Sequence, residues 1–303
     1  MFKSEEEVIE SPLFMALSPF ITNKYKNHLH EKIDYLYHYT NLEGLMGIID
    51  IQGFWATHIK YMNDSKEYLH GLSLCNEIIE NFSRNATSDQ VKFLNKVSEK
   101  LNEEDSENFV ISLCPNGDLL SQWRGYSRGQ YGISIGFDVK QLCQFTTPRA
   151  NEYLLPKKVI YETDVQKSMI SDIIDIGLKN IESKGLDLQF MPSEIATTIK
   201  WFIPLFKDSS FSEEKEWRIV TTNFKETKEN HPLRYRVRNN IILPFVSLPL
   251  RNQMQEKKEN LPIKSIIVGP SDSIEFTIDS LKYFLKDKNY YDTEVSPSSI
   301  PYR

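Results

Sequence analysis

Apolar residues recur at helical spacing in several stretches of the chain. In "TNLEGLMGIID" they follow the i, i+3, i+4, i+7 pattern of an amphipathic helix, and Thr40 and Glu43 have the spacing of a capping box. Further helices are predicted for "MNDSKEYLHGLSLCNEIIENF", "SDQVKFLNKVSEKL", "MISDIIDIGLKNI", "SEIATTIKWFIPLF" and "SIEFTIDSLKYFL". We expect Asn63 and Asp64 to cap the first of these, and Pro204 to kink or end the fourth.

Shorter apolar and aromatic runs have the length and alternation of β-strands. They are "YLYHYT" (35–40), "FWAT", "FVISLC" (109–114), "YGISIGFD" (131–138), "EWRIVTT", "LRYRV", "IILPFV" and "IKSIIVGP". The continuous apolar run at 109–114 predicts a central strand. In 131–138 one face carries only Gly132, Ser134 and Gly136, which predicts a shallow trough that a ligand or another backbone can approach.

The order of these elements excludes a regular parallel α/β fold. Helices and strands alternate irregularly, and no glycine-rich phosphate loop follows a strand. The sequence therefore predicts an α+β fold, with a bent, mainly antiparallel sheet and helices packed outside it. Residues 1–34 are interpreted as a helical lead-in, and 35–303 as a single α+β domain with a helical insertion at about 164–207.

Composition and charge narrow the choice of partners. The formal net charge is −6, which argues against a generic nucleic-acid surface or an anionic-membrane surface. Three scattered cysteines and the lack of a Cys/His cluster indicate neither a disulfide framework nor a metal site, so no metal is expected. No run of about 18 apolar residues occurs, and a cytoplasmic protein without a membrane partner is predicted.

Charge persists where a strand enters the core, in "SFSEEKEWRIVTT" (210–222). Alternation places Glu216 and Arg218 on one face and Trp217 on the opposite, core-facing side. Glu214 falls on the same side as Glu216, which makes an E-x-E pair. The two acceptable interpretations are an exposed salt bridge worth up to ~1 kcal/mol and a functional carboxylate site.

Two other segments combine residue types that suit a nucleotide. His38 lies in a predicted strand just before a helix and is either a structural residue or a functional one. In "SQWRGYSRGQYG", Trp123, Arg124 and Tyr126 combine rings that stack with guanidinium groups that bind phosphate. Core aromatic residues beside ordinary surface arginines would give the same pattern, so both interpretations stay open.

Six motifs carry a resemblance to a known family. "YHYT", "MNDSKE", "QWRGYSRGQYGISIGFD", "EEKEWRIV", "IIVGP" and "SSIPYR" occur in the order seen in the bacterial domain-of-unknown-function family 2971, from about residue 35 to the C-terminus. More distantly, an early-strand His, a middle strand with small polar residues and a late-strand Glu resemble the ADP-ribosyltransferase superfamily. That second resemblance implies an ADP-ribosyltransferase-like fold and NAD as the substrate.

The superfamily resemblance also implies roles for single residues. His38, with Thr40 beside it, would hold an NAD ribose. Ser112 stands where the superfamily has its serine motif, and Tyr126 would be a stacking ring that frames the nicotinamide.

The carboxylates of the late strand take the catalytic roles in this resemblance. Glu216 would be the catalytic carboxylate that binds the 2′-hydroxyl of the nicotinamide ribose, with Glu214 as its substrate-side partner. Arg218 would keep Glu216 ionised and belongs to the expected cofactor-binding set.

Three functional hypotheses follow. The first is an NAD-consuming enzyme that transfers ADP-ribose to a macromolecular acceptor or hydrolyses NAD. The second is a non-enzymatic nucleotide-binding or protein-interaction module in bacterial stress or phage defence. The third is a nuclease that uses Glu214, Glu216 and Asp64 on a divalent metal.

Overall fold

The computed structural model describes residues 12–62, 67–103, 106–126, 132–147, 155–184, 189–224, 231–238, 240–252 and 260–301. The α-helices are α1 Pro12–Lys24, α2 Lys26–Leu29, α3 Leu42–Ile51, α4 Glu67–Ser83, α5 Ser88–Asn102, α6 Leu120–Tyr126, α7 Val139–Leu142, α8 Thr163–Lys184, α9 Met191–Phe202 and α10 Ile274–Asp287. Short 3-10 helices span Ile59–Tyr61, Ile203–Leu205 and Ser209–Glu214.

The strands form two main sheets and a two-stranded ribbon. They are β1 Tyr35–Asn41, β2 Gly53–His58, β3 Ser106–Leu113, β4 Gly132–Asp138, β5 Phe145–Thr146, β6 Lys157–Lys158, β7 Trp217–Phe224, β8 Leu233–Arg238, β9 Ile241–Pro249, β10 Arg251–Asn252, β11 Ile263–Val268 and β12 Glu294–Pro297. The four-stranded sheet has the order β1-β4-β11-β12, and the six-stranded sheet has the order β6-β7-β3-β2-β9-β8. Among the described strands every pair is antiparallel except β11 with β12, so the predicted antiparallel α+β class is confirmed.

Two apolar cores lie on opposite faces of the six-stranded sheet. One core fills the space between the two sheets, where Ile133 of β4, Phe54 of β2 and Ile111 of β3 belong to the same buried cluster. The other core joins α1, α4, α5, α8 and α9 in a helical layer. The predicted helices within 164–207 therefore share one core with the N-terminal helix α1. The division of the chain into a lead-in and one domain stays a prediction.

The structure corrects two local expectations. Helix α3 is capped by Asn41, whose side chain accepts the Gly44 N–H at 2.8 Å, rather than by Thr40 in a capping box. Pro204 does end a helix as predicted, since α9 stops at Phe202 and continues as a 3-10 turn. The Asn63–Asp64 cap lies outside the described residues.

The second correction concerns the trough of β4. A Cβ added at Gly136 would lie 2.7 Å from the Tyr37 ring, so a side chain of the neighbouring strand β1 already occupies that space. Gly117 approaches the same ring as closely. The small residues of β4 therefore accommodate a tyrosine, and the expected open trough is filled.

Candidate functional site

The two sheets meet where β1 crosses the end of β3. Tyr37 and Cys114 exchange two backbone hydrogen bonds of 2.8 Å, which join the strands at a single bridge. Next to this bridge, two cavities of about 490 Å³ and about 260 Å³ share a wall made by Tyr39, Met62, Ser112 and Gly125. We call the larger one the carboxylate cavity and the smaller one the arginine cavity, after the charged residues on their walls.

The carboxylate cavity is lined by a buried cluster of five charged side chains, named here the ion cluster: Glu67, Lys207, Glu214, Glu216 and Arg218. They come from α4, from the segment after α9 and from the entry of β7. Three carboxylates against two cations give the cluster a formal charge of −1 when all five groups are ionised. The expected exposed salt bridge is therefore wrong, because the Glu216–Arg218 pair exists but is almost fully buried.

Arg218 and Lys207 hold the cluster together. Arg218 binds Glu216 with two bonds, from Nε to Oε1 at 2.9 Å and from Nη2 to Oε2 at 2.8 Å. The same guanidinium donates to Glu67 Oε2 at 2.6 Å and to the Pro204 carbonyl at 2.7 Å. Lys207 Nζ contacts Glu67 at 3.0 Å, Glu214 at 2.8 Å and Glu216 at 3.0 Å. Its three protons thus match three carboxylates.

The carboxylates of Glu214 and Glu216 share Lys207 although they do not share a strand. Glu214 ends the 3-10 helix Ser209–Glu214, and Lys215 follows in the left-handed region with φ 45°. Glu216 stands just before β7, where its N–H donates to Tyr161 Oη at 2.9 Å and its carbonyl accepts from Val159 at 2.9 Å. The tight turn, rather than strand periodicity, brings the E-x-E pair to one side.

The two carboxylates have opposite electrostatic environments. Burial alone would raise the pKa of Glu216, but the facing Arg218 and Lys207 charges outweigh burial and hold this pKa well below its usual value. Burial raises the pKa of Glu214, and Lys207 offsets only part of that effect while Glu216 adds to it. Glu216 is therefore held ionised, whereas Glu214 takes up a proton more readily than Glu216.

Two hydroxyl groups on the cavity wall have no hydrogen-bond partner among the described residues, namely those of Ser112 and Ser121. The Ser112 hydroxyl lies close enough to Glu216 to contribute to lowering its pKa, although its geometry falls short of a formed hydrogen bond. Because buried polar groups are normally paired, both hydroxyl groups are candidates to hydrogen-bond to a ligand.

His38 approaches the shared wall from β1. Its Nδ1 lies 2.9 Å from the Ser112 carbonyl oxygen, and a carbonyl only accepts, so Nδ1 carries the proton and Nε2 is an acceptor. Burial lowers the pKa of His38 to about 4, with the Ser112 hydrogen bond opposing this effect and Arg236 adding to it. The imidazole is partly buried, neutral at pH 7, and lines the arginine cavity.

The arginine cavity takes its positive charge from β8. Arg236 donates to Thr57 Oγ1 at 2.8 Å, and its guanidinium lies 5.7 Å from the Trp55 ring centre. Arg238 donates to the Gly125 carbonyl at 3.2 Å. The Trp55 Nε1–H, on the same wall, has no partner among the described residues. The Tyr61 ring and the start of α3 complete a wall suited to an anion next to an aromatic group.

The structure brings several of the expected site residues to these cavities. Glu214, Glu216, Arg218 and Ser112 line the carboxylate cavity. His38 and Thr40 line the arginine cavity, which Ser112 also borders. His38 and Glu216 thus lie on either side of one serine, despite their separation in sequence.

Two of the three expected residues of α6 lie away from the cavities, and the third cannot be placed. Trp123 is buried, with its ring centre 4.8 Å from that of Tyr39 and its Nε1 donating to Asp118 at 2.7 Å. This is the core arrangement that the sequence left open. Arg124 is exposed and lines neither cavity. The side chain of Tyr126 lies outside the described residues.

The sequence reasoning missed four charged residues of the site: Glu67, Lys207, Arg236 and Arg238. The alternating "LRYRVR" of β8 was the signal available for the arginines. Glu67 and Lys207 carried no signal of their own, because each looks like an ordinary charge beside a helix.

The structure bears in part on the metal-dependent nuclease hypothesis and on the question of a membrane-spanning helix. Within the described ranges, no three His, Cys, Asp or Glu side chains are arranged to hold a metal ion. Asp64, the third ligand of the nuclease hypothesis, falls outside those ranges. No described helix combines the length and apolar content needed to cross a bilayer.

Comparison with known proteins gives one match. The family described as "Protein of unknown function (DUF2971)" matches residues 122–219, from α6 to the start of β7, which includes Glu214, Glu216 and Arg218. No curated protein and no solved structure matches the chain. Because no match concerns an ADP-ribosyltransferase, that resemblance stays a hypothesis. The match supports the resemblance to DUF2971 over the segment that carries the E-x-E pair.

Proposed function

We propose that the protein is an NAD-consuming, ADP-ribosyltransferase-like enzyme that passes ADP-ribose to a macromolecule or to water. The observation that carries the proposal is the wall at Ser112, which has the neutral His38 on one side and the Glu214–Glu216 carboxylates on the other. The carboxylate cavity falls within the ~300–1,000 Å³ typical of small-ligand sites, and the arginine cavity extends it.

The ion cluster suits the transition state of this reaction. Breaking the bond between nicotinamide and ribose develops positive charge on the sugar. A cluster with a formal charge of −1, held rigid by Arg218 and Lys207, stabilises that charge without reorganising. The opposite pKa shifts of the two carboxylates divide their roles: Glu216 stays ionised, and the more accessible Glu214 exchanges a proton.

His38 would orient the ribose. With Nδ1–H donated to the Ser112 carbonyl, Nε2 is left as an acceptor for a ribose hydroxyl. Its low pKa keeps the ring neutral at physiological pH, so that it adds no positive charge beside the developing cation. Thr40 lines the same cavity, two residues further along β1.

Arg236 and Arg238 would bind the phosphates. Arg218, which the resemblance assigned to the cofactor, uses four of its five N–H donors on Glu216, Glu67 and the Pro204 carbonyl, so it has no pair of N–H groups left to bind a phosphate. The two arginines of β8 border a cavity that also contains the Trp55 Nε1–H. Guanidinium groups beside aromatic rings match a diphosphate linked to a flat base.

The hydrolytic reaction balances with the groups present. The C1′–N bond breaks, and its electron pair stays on the nicotinamide nitrogen, which leaves as a neutral ring. A water oxygen forms the new bond to C1′. The proton lost by that water passes to Glu214 and then to solvent.

The test measures nicotinamide released from NAD by the purified full chain, with EDTA present. We expect Glu216→Gln to lower turnover by ~10²–10³. NAD affinity should change little, because the charge matters mainly in the transition state. The matched control is Glu213→Gln, since Glu213 is exposed and lies only three residues before Glu216, in the 3-10 helix Ser209–Glu214. Its turnover should equal that of the wild type. Nicotinamide release at the wild-type rate in Glu216→Gln would end the catalytic assignment.

One observation favours a second candidate, a nucleotide-binding module without turnover. Both oxygens of Glu216 are engaged by Arg218, and one is also bound by Lys207, so the assigned carboxylate is tied within the protein. Saturable NAD binding by calorimetry, with no nicotinamide released over hours, would establish this alternative in place of the enzyme.

A further inference from the structure

Strand β8 forms one end of the six-stranded sheet. It pairs with β9 along its whole length and, within the described residues, with no other strand. Its outer edge therefore presents backbone N–H and C=O groups that can hydrogen-bond to an added strand.

One face of this edge is apolar and exposed. Tyr235 and Val237 are 64% and 74% exposed, and Leu233 lies on the same face two residues earlier. Ile242 of β9, directly opposite Val237, is exposed as well. These four side chains form a contiguous apolar patch on one hairpin, whereas single exposed apolar residues are ordinary.

The other face of β8 carries the arginines Arg234, Arg236 and Arg238. Arg236 and Arg238 line the arginine cavity, so β8 is also the rim of that cavity. A strand added along β8 would place alternate side chains beside the apolar patch and beside the arginines.

We propose that β8 binds an extended segment of a partner protein in which acidic and apolar residues alternate. One acidic side chain would pair with Arg234, which lies outside the arginine cavity, a second would lie at the rim of that cavity, and the apolar ones would cover the exposed patch. A second copy of the chain fits this edge poorly, because antiparallel pairing of β8 with itself would set arginines against arginines.

The docked segment also suits the acceptor in ADP-ribose transfer, and this part rests on the function proposed above. One of its carboxylates would lie at the rim of the arginine cavity. In transfer, a carboxylate oxygen of the segment attacks C1′ in place of water, the C1′–N bond breaks, and neutral nicotinamide leaves. The product is an ADP-ribosyl ester, and no proton is gained or lost.

Docking is tested without NAD, by fluorescence anisotropy with a labelled, end-blocked peptide of alternating glutamate and valine, about seven residues long to match a typical strand. We expect saturable binding, and none for the matching lysine–valine peptide. Arg234→Glu should weaken binding at least about tenfold, because it reverses a charge on the paired face. Arg234 lines neither cavity, so this variant leaves the proposed active site unchanged.

The matched control is Phe276→Glu, which removes a 78% exposed apolar side chain from α10 and should bind like the wild type. Equal binding of both peptides, or an equal loss in Phe276→Glu, would overturn the docking site. A dimer by light scattering that Tyr235→Glu converts to a monomer would assign this edge to a second copy instead.

The acceptor role has its own readout, the mass of the peptide after incubation with NAD. A gain of one ADP-ribose supports transfer. Nicotinamide release with an unmodified, bound peptide would refute the acceptor role while leaving both the docking site and NAD cleavage intact. Because docking is measured without NAD, an inactive protein that still binds the peptide would refute only the enzymatic proposal.

Discussion

The first two residues of β7 are both buried, on opposite faces of the strand, and they are stabilised in different ways. Trp217 is 5% exposed and packs into the core between the sheets, whereas Arg218, the next residue, is 1% exposed and enters the ion cluster. The apolar face needs only apolar neighbours, and the exclusion of water stabilises it. The charged face needs partners of opposite charge at hydrogen-bonding distance.

This difference makes the charged face dependent on distant parts of the chain. Arg218 binds Glu67, which lies 151 positions earlier, and Lys207 contributes from the segment after α9. Moving charged groups out of water has a free-energy cost, and the attraction between them offsets that cost only when every partner is present. Such a cluster therefore adds little net stability to the fold. Four buried charges and the partly exposed Glu214 on the wall of a cavity are instead typical of a binding or catalytic site.

The largest expected effect comes from removing the guanidinium of the charged face. Arg218→Met should destabilise the fold by ~3–5 kcal/mol, because it leaves Glu67 and Glu216 buried with Lys207 as their only cation. Chemical denaturation measures the loss. Arg234→Met, an exposed arginine of β8, should change stability by less than ~0.5 kcal/mol.

A second substitution sharpens this prediction. Adding Glu216→Gln to Arg218→Met should recover part of the lost stability, since it removes a buried carboxylate that has lost its main partner. Strictly additive losses would show that the cluster does not act as a unit.

On the apolar face, Trp217→Ala should cost ~3–5 kcal/mol, the range for truncating a large buried aromatic residue. The same denaturation experiment measures it, and the NAD-cleaving activity of the folded fraction should be kept, because Trp217 lines neither cavity. An unchanged midpoint would mean that the two faces of β7 have been assigned the wrong way round.

The smallest expected effect is on the pH dependence of stability and concerns His38, which hydrogen-bonds to the Ser112 backbone carbonyl of β3. Its folded pKa of about 4 lies below the ordinary 6.5, so the unfolded chain binds a proton first as the pH falls. The contribution of His38 to the free energy of unfolding is therefore fully present above pH ~6.5. It falls by on the order of 1–3 kcal/mol as the pH decreases towards ~4.

Denaturation midpoints at pH 7, 6 and 5 measure this loss. His38→Gln should show a smaller loss than the wild type over that interval, whereas His28→Gln, at an exposed position, should follow the wild type. The same slope in all three proteins would mean that His38 titrates normally.

Local patterns predicted the elements well. The continuous apolar run of β3 predicted a central strand, and β3 lies between β7 and β2. The alternation in β7 correctly separated Trp217 from Glu216 and Arg218. Such predictions succeed because periodicity depends only on neighbouring residues.

Contacts between distant segments were not predictable in this way. The exposed salt bridge stayed one of two interpretations because no residue near Glu216 in sequence indicates that Glu67 and Lys207 contact this ion pair in the folded chain. The trough of β4 was predicted for a ligand or another backbone, but the Tyr37 side chain of β1 fills it. The aromatic residues of α6 had two interpretations, and packing against Tyr39 decided for Trp123.

The sequence by itself determined the antiparallel α+β class. It also determined strands β1 and β3, which carry His38 and Ser112, and strand β7, which Glu216 precedes. Alternation in β7 further determined that Arg218 lies on the face opposite Trp217. Only the tertiary structure decided that Ser112 lies between His38 and the carboxylates of Glu214 and Glu216. It also decided that Arg236 and Arg238 line the same cavity as His38. It also decided the protonation of the site, with a neutral His38 and an ionised Glu216. The physical reason is that alternation is a property of adjacent residues, whereas burial and the distance between charges are set by segments that meet only when the chain has folded.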